Sequence, residues 1–208
     1  MENRRIGLVG TGLCLFFAIV AGRPIHAGSW VLPDRQMGRH TAPLLVLSRP
    51  EVQADLQLDA AKAASLDQVI VEIYAKARDL RGRRDADAVN GRRAIDEMQQ
   101  AWLDENLTEP QRSRLVQLDL QWEGPAALHT RNQVADTLRL TDTQKAAVAK
   151  AVKERESLRA QPERDSRADD VALATAVLAA LDGEQRERWK SMLGRPCAFK
   201  ALEVAAAR

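Results

Sequence analysis

At 208 residues the chain has room for one helical domain or two small ones. Hydrophobic residues make up 45% and aromatic residues 4%. That profile suits amphipathic helices rich in Ala and Leu and excludes a sheet protein built on Val, Ile, Thr, Tyr and Phe. The formal charge of +2 would favour a polyanion partner, but the N-terminus accounts for it.

Arg4 and Arg5 precede an uncharged run over residues 6–22 that contains Leu13, Leu15, Phe16, Phe17, Ile19 and Val20. Ile25-His26-Ala27 then places a small residue at a cleavage position. A basic start, an apolar stretch and a small residue predict a secretory signal over residues 1–27, and hence a periplasmic or secreted mature chain. If the signal is kept, the run is a membrane anchor, though it is short for a span and carries several glycines. No other membrane contact is expected. Cleavage removes three of the 31 basic residues (Arg4, Arg5 and Arg23) and one of the 29 acidic residues (Glu2), leaving 28 of each. The mature chain is then neutral, and nucleic acid is not an expected partner. Cys14 leaves with the signal, and Thr11-Gly12-Leu13 before it is a poor lipoprotein signal. Cys197 is then the single remaining cysteine, a candidate for an intermolecular disulfide and so for a homodimer in an oxidising compartment.

Along the mature chain, residues 28–46 show no clear periodicity and read as an irregular lead that includes Trp30. A first helical unit follows over 47–124: a short helix over 50–56, a long one over 60–80, a charged break, then helices over 92–103 and 109–122. Gly124-Pro125 marks the join. A second unit over 125–194 repeats the order, with helices over 132–138, 142–159, 168–181 and 183–193. Pro162 breaks the long helix, and Gly194 and Pro196 stop the last one. A flexible tail is expected over 195–208. Apolar spacing supports these helices: Leu66, Ile70, Ile73, Ala77 and Leu80 advance by three or four, as do Ile95, Met98 and Trp102.

One motif recurs four times, a Leu followed by a capping residue and, three positions on, a Gln or Lys. The copies begin at Leu58-Asp59, Leu107-Thr108, Leu140-Thr141 and Leu181-Asp182, and their later residues are Lys62, Gln111, Gln144 and Gln185. Thr or Asp caps the first free amides of a helix, and a Gln three residues later reaches back to the cap's own amide. Each copy therefore predicts a helix start, with the leading Leu packed inward. Lys62 cannot accept a hydrogen bond, so the first copy reduces to a plain Asp cap. The flanks of the first and third copies align at an offset of 82, pairing Val52, Leu56 and Leu58 with Val134, Leu138 and Leu140. The second and fourth align at 74, pairing Gln111 and Leu115 with Gln185 and Trp189. Two blocks in one order indicate an internal duplication and an all-α fold of two pseudo-repeated helical hairpin units.

No catalytic pattern is present. The sequence lacks a nucleophile elbow, a phosphate loop, a Cys-x-x-Cys and a His-Glu-x-x-His, so no enzyme, no cofactor and no metal site is expected. His40 and His129 have no metal-ligand spacing. Asp169-Asp170 and Asp85-Ala86-Asp87 read as solvated helix starts. Trp102, Trp122 and Trp189 fall on apolar helical faces and read as core anchors. Arg81, Arg83, Arg84, Arg92 and Arg93 read as a solvated helix connection.

Leu107-Thr108-x-x-Gln111 and Leu140-Thr141-x-x-Gln144 give the chain a family likeness. It resembles the L-T-x-x-Q proteins of the bacterial envelope, the Spy/CpxP-like group. It is also similar to secreted proteins of planctomycete type, in which such blocks precede a Leu-Gln-x-x-Gly-Pro segment, here Leu120-Gln121-Trp122-Glu123-Gly124-Pro125. The likeness spans residues 50–192. It implies helical hairpins, dimerisation and a holdase, stress-sensing or metal-responsive role. The chain has two motif pairs where that group typically has one, and it lacks a His-rich segment. The leading expectation is an exported helical binding or scaffolding protein, holdase-like, with a protein partner or unfolded client in the envelope. The alternative is a metal-responsive periplasmic sensor using His40, His129, Cys197 and carboxylates.

Overall fold

The computed structural model describes residues 30–159 and 166–199, apart from the side chains of Arg35, Ser166 and Arg167. The expected signal over 1–27, Pro162 and the tail beyond Phe199 lie outside the described residues. Among those described the fold is all-α, without a strand. A 3-10 turn at Asp34–Gln36 leads to α1 (Pro43–Leu47), α2 (Pro50–Asp55), α3 (Ala60–Asp79), α4 (Ala86–Asn106) and α5 (Glu109–Glu123). A second 3-10 turn, Gly124–Ala126, leads to α6 (Ala127–Thr130), α7 (Asn132–Thr137), α8 (Asp142–Arg159), α9 (Ser166–Ala180) and α10 (Gly183–Leu193).

Capping fixes where the longer helices begin. The Asp59 carboxylate accepts from the Lys62 amide at 2.8 Å and opens α3. Asp85 does the same for α4, accepting from the Ala88 amide at 2.9 Å. That cap starts α4 at Ala86, ahead of the expected residue 92, and Asn90-Gly91 lies inside the helix rather than in a break. Gly91 lies close against the Leu80 side chain: a Cβ at this position would meet both Leu80 methyl groups at 2.9 Å. The Leu80 side chain at the end of α3 thus rests on the bare backbone of α4.

The long helices pair as two hairpins, α3 with α4 and α8 with α9. Helix α5 lies between the two hairpins in the chain and packs on α1 and on α10. Its residues divide between two apolar cores. Leu115, Leu118 and Trp122 join the first, with Leu44, Val52, Leu66, Ile70 and Trp102. Leu120 joins the second, with Leu128, Leu138, Val148, Val177 and Trp189. A helix that buries both sides cannot have one apolar stripe, which explains the run of buried residues at its C-terminal end. Trp102, Trp122 and Trp189 are all buried anchors, and Trp102 Nε1 donates to Ser65 Oγ at 3.0 Å.

Two expectations about irregular segments need correction. The lead over 28–46 contains helix α1, which starts on Pro43 and buries Leu44, Val46 and Leu47. Five residues are too few to show a helical period, and Pro at the first turn supplies the start that periodicity could not. Trp30 is half-buried, its ring centroid 5.0 Å from that of Tyr74. The tail over 195–208 is held at its beginning. Gln121 Nε2 donates to the Leu193 and Arg195 carbonyls at 2.6 and 2.8 Å, and the Cys197 amide donates to Gln121 Oε1 at 2.7 Å. Phe199 then meets Trp122 edge-on, at 5.4 Å between ring centroids.

Several local arrangements recur at the offsets of 82 and 74. Gln57 and Arg139 both have φ of 53°. The Leu58 amide donates to the Gln53 carbonyl at 2.9 Å and the Leu140 amide to the Ala135 carbonyl at 3.0 Å. Gln111 Nε2 donates to the Leu56 carbonyl at 2.8 Å, and Gln185 Nε2 to the Leu138 carbonyl at 3.2 Å. Arg49 and Arg131, also 82 apart, precede α2 and α7 and each bind two carboxylates.

Candidate functional site

The helix-start residues occupy the positions their chemistry requires. Leu58, Leu107, Leu140 and Leu181 are buried immediately ahead of α3, α5, α8 and α10. The Thr108 amide donates to Gln111 Oε1 at 2.9 Å. At Thr141 both halves of the box form, the amide to Gln144 Oε1 at 3.0 Å and the Gln144 amide to Thr141 Oγ1 at 3.2 Å. At Asp182 the two distances are 3.0 and 2.8 Å. The glutamine amides have a second use that the capping argument did not anticipate. Gln144 Nε2 donates to the Ala180 carbonyl at 2.9 Å and to Gln185 Oε1 at 2.7 Å. The two glutamines thus fasten neighbouring helix ends to one another.

A charged cluster sits where α5, α6 and the lead converge. Glu123 is fully buried and meets three partners: Arg131 Nε at 2.5 Å, His40 Nδ1 at 3.1 Å and the Thr130 hydroxyl. Arg131 Nη1 also pairs with buried Asp119 at 2.7 Å. Burial pushes the Asp119 carboxyl above its ordinary range, against the pull of Arg131. Asp119 Oδ1 and Arg131 Nη2 are left without a hydrogen-bond partner.

Beside this cluster a cleft of about 430 Å³ opens between the lead, α6 and α8, lined by Arg39, His40, Thr130, Val152, Arg155 and Arg159 among others. Arg155 and Arg159, one turn apart on α8, share the Asp170 carboxylate, with contacts of 2.6 and 2.9 Å. Arg155 Nη1 donates to the Gly38 carbonyl at 2.6 Å and Arg159 Nη2 to the Met37 carbonyl at 3.0 Å. The lead is thereby strapped to α8. Gly38 has φ of +75°, and its amide donates to the Trp122 carbonyl at 2.8 Å. A side chain there would collide with the Arg155 guanidinium. Burial, and next the charge of Arg155, lower the Arg159 pKa from its ordinary value. Two of its nitrogens, Nε and Nη1, have no partner.

Of the pair Asp169 and Asp170, only the second keeps part of its side chain in solvent, at 35% exposed. Asp169 is buried and Asp170 serves two arginines, neither of which is close to it in sequence. The carboxylates at Asp85 and Asp87 fit the expectation better: Asp85 is exposed, and Arg83 beside it holds its carboxyl down at about 2. Arg92 turns back to the Arg83 carbonyl at 3.2 Å, so part of the basic cluster closes the α3–α4 turn. Among the described residues no three His, Cys, Asp or Glu side chains could hold an ion, and His40 is committed to Glu123. Cys197 is half-buried beside the first core, and burial raises its thiol pKa.

Arg39, Arg155 and Arg159 were not singled out from the sequence. One signal could have found them. At the offset of 82, Arg155 and Arg159 stand where α3 has Ile73 and Ala77, so they break the apolar stripe of their own helix. Among the described residues no helix is long and apolar enough to cross a membrane. Comparison with protein-family models, curated proteins and solved structures finds no match.

Proposed function

We propose that the chain is an exported helical binding or scaffolding protein of the cell envelope, built from two copies of one helical unit and engaging a protein partner or unfolded client in the manner of a holdase. The observation that carries this reading is the set of apolar side chains left in water on the helical hairpins. Val71 is 61% exposed and Tyr74 43% exposed on α3; Val171 is 61% exposed and Leu178 40% exposed on α9. Each pair shares a helical face, three or seven residues apart, and Trp30 widens the first by packing on Tyr74. Paired apolar residues on rigid helices suit weak, unselective contact with unfolded chains. The duplication rests on the matched bonds at 82 and 74, and the envelope on the basic and apolar N-terminus and the likeness of the L-T-x-x-Q blocks.

An aggregation assay tests the reading. At equimolar ratio the chain should slow aggregation of a chemically unfolded client, and Tyr74→Lys with Leu178→Lys should reduce the effect. If the chain neither slows aggregation nor co-purifies with an envelope protein, the reading fails. Fractionation should place it outside the inner membrane, with Ala27 as the last residue removed.

A further inference from the structure

We propose that the tip of the α3–α4 hairpin docks on an anionic lipid surface, with Arg81, Arg84, Arg92 and Arg93 against the phosphate headgroups and Val89 at their apolar edge. The inference does not depend on where the chain works or on whether it holds unfolded clients.

Residues 78–93 carry Arg78, Arg81, Arg83, Arg84, Arg92 and Arg93 against Asp79, Asp85 and Asp87, an excess of three positive charges. All nine are exposed. Arg83 meets Asp85 at 2.9 Å and Arg78 meets Asp79 at 3.6 Å. Arg92 donates to the Leu80 and Arg83 carbonyls, and Arg93 to the Asn90 side-chain oxygen, all neutral acceptors that leave the charge uncompensated. Arg81 and Arg84 make no hydrogen bond or ion pair with the described residues. Of the three acids, Asp87 is left to offset these four arginines. Further down the hairpin the charges cancel or change sign. Lys76 pairs with Glu72 at 3.5 Å. Asp96 and Glu97 lie about 15 Å along α4 from Ala86, beyond a screening length of about 8 Å.

The shape of the tip favours a surface over a strand. Over residues 71–94 only Ile73 and Ala88 are buried. Gly82 at the turn has φ of +77°, and a Cβ there would meet nothing within 4 Å. Such an end is convex and stands clear, so a flat sheet of phosphates can meet several arginines at once. Each basic residue near an anionic leaflet adds to the attraction. Val89 is 54% exposed and lies one turn before Arg92 and Arg93. An apolar side chain beside cations suits the boundary between headgroups and acyl chains. Nucleic acid fits less well. A strand gains from aromatic side chains on which bases stack, and no aromatic residue lies between Tyr74 and Trp102.

A vesicle competition tests the proposal. The full chain is offered phosphatidylcholine vesicles together with vesicles of phosphatidylcholine and phosphatidylglycerol, and the two kinds are separated by density. The apolar run over residues 6–22 meets both kinds alike, so the distribution between them reports the charge. At about 0.1 M salt the anionic vesicles should be preferred by about tenfold or more, and about 1 M salt should abolish the preference. Arg81→Glu with Arg84→Glu should reduce it by about tenfold or more, with helix content by circular dichroism unchanged because neither side chain has a partner to lose. Lys150→Glu with Lys153→Glu makes the same change of net charge at exposed positions on α8 and should leave the preference intact. The proposal is overturned if the parent shows no preference, if the folded tip variant keeps it, or if the α8 variant loses as much as the tip variant. It is also overturned if a DNA duplex at equal phosphate concentration draws the chain off the anionic vesicles.

Discussion

Gln57 and Arg139, 82 residues apart, hold the same left-handed backbone conformation, each with φ of 53°. They follow the short helices α2 and α7, and each precedes a buried Leu whose amide closes the turn. Only Gly adopts this conformation without steric cost. Gln57→Gly and Arg139→Gly should each stabilise the fold by about 1 kcal/mol, whereas a β-branched Val at either position should destabilise it by more. Denaturant midpoints at constant m-value measure both. A loss of stability in the Gly variants would mean that the side chains, not the backbone, hold these turns.

The glutamine of the second unit carries a larger load than its cap. Gln185 is buried, accepts from the Asp182 amide and from Gln144 Nε2, and donates to the Leu138 carbonyl. Gln185→Ala strands these groups and should cost about 2 kcal/mol or more. Gln144→Lys copies what the first unit already has at Lys62 and should cost less, about 1 kcal/mol. Equal costs would show that the Gln144–Gln185 contact contributes nothing beyond each residue's own cap.

What the sequence made legible was local. A capping box spans four residues, so Thr141 and Gln144, or Asp182 and Gln185, could be placed on helix starts from spacing alone. The same limit explains the omissions. Asp170 read as a solvated carboxylate because the charges that bury its environment, Arg155 and Arg159, come from another helix. Gly38 and Arg155 meet across 117 positions, a contact that no window of residues reveals. Gly91 fell inside the break expected between residues 80 and 92 because glycine marks turns more often than the interior of a helix. The cleft was hidden for a further reason: its arginines became visible as exceptions only when α8 could be compared with α3.

Asp55 gives a pH dependence with a definite sign. Its carboxylate receives Arg114 at 2.9 and 3.1 Å and Arg195 at 2.8 Å, joining α2, α5 and the start of the tail. The hydrogen bond from Arg114 holds its pKa below the ordinary 3.8, against the effect of burial. A carboxylate depressed in the folded state contributes stability above the unfolded pKa and loses it as pH falls through the folded one. Asp55→Asn should therefore destabilise the chain at pH 7 by about 2 kcal/mol, the worth of charge-assisted bonds. The gap between parent and variant should close once the pH has fallen below the lowered folded-state pKa of Asp55, where both side chains are neutral. A gap that persists undiminished at that pH would assign the loss to packing rather than to charge.

Cys197 was expected in a free tail, open to disulfide exchange. The structure instead places it under the clasp of Gln121, whose side chain ties three backbone groups between Leu193 and Cys197. Burial raises the thiol pKa, which lowers the thiolate fraction available for attack at neutral pH. Dimerisation through Cys197 therefore requires the clasp to open first. Alkylation of the thiol at pH 8 should be slow in the parent chain and faster by about tenfold or more in Gln121→Ala, where the tail loses all three bonds. Non-reducing electrophoresis under oxidising conditions should follow the same order, with a disulfide-linked dimer accumulating faster in the variant. Cys197→Ser is the blank in both measurements. Equal alkylation rates in parent and variant would show that Gln121 does not gate the thiol.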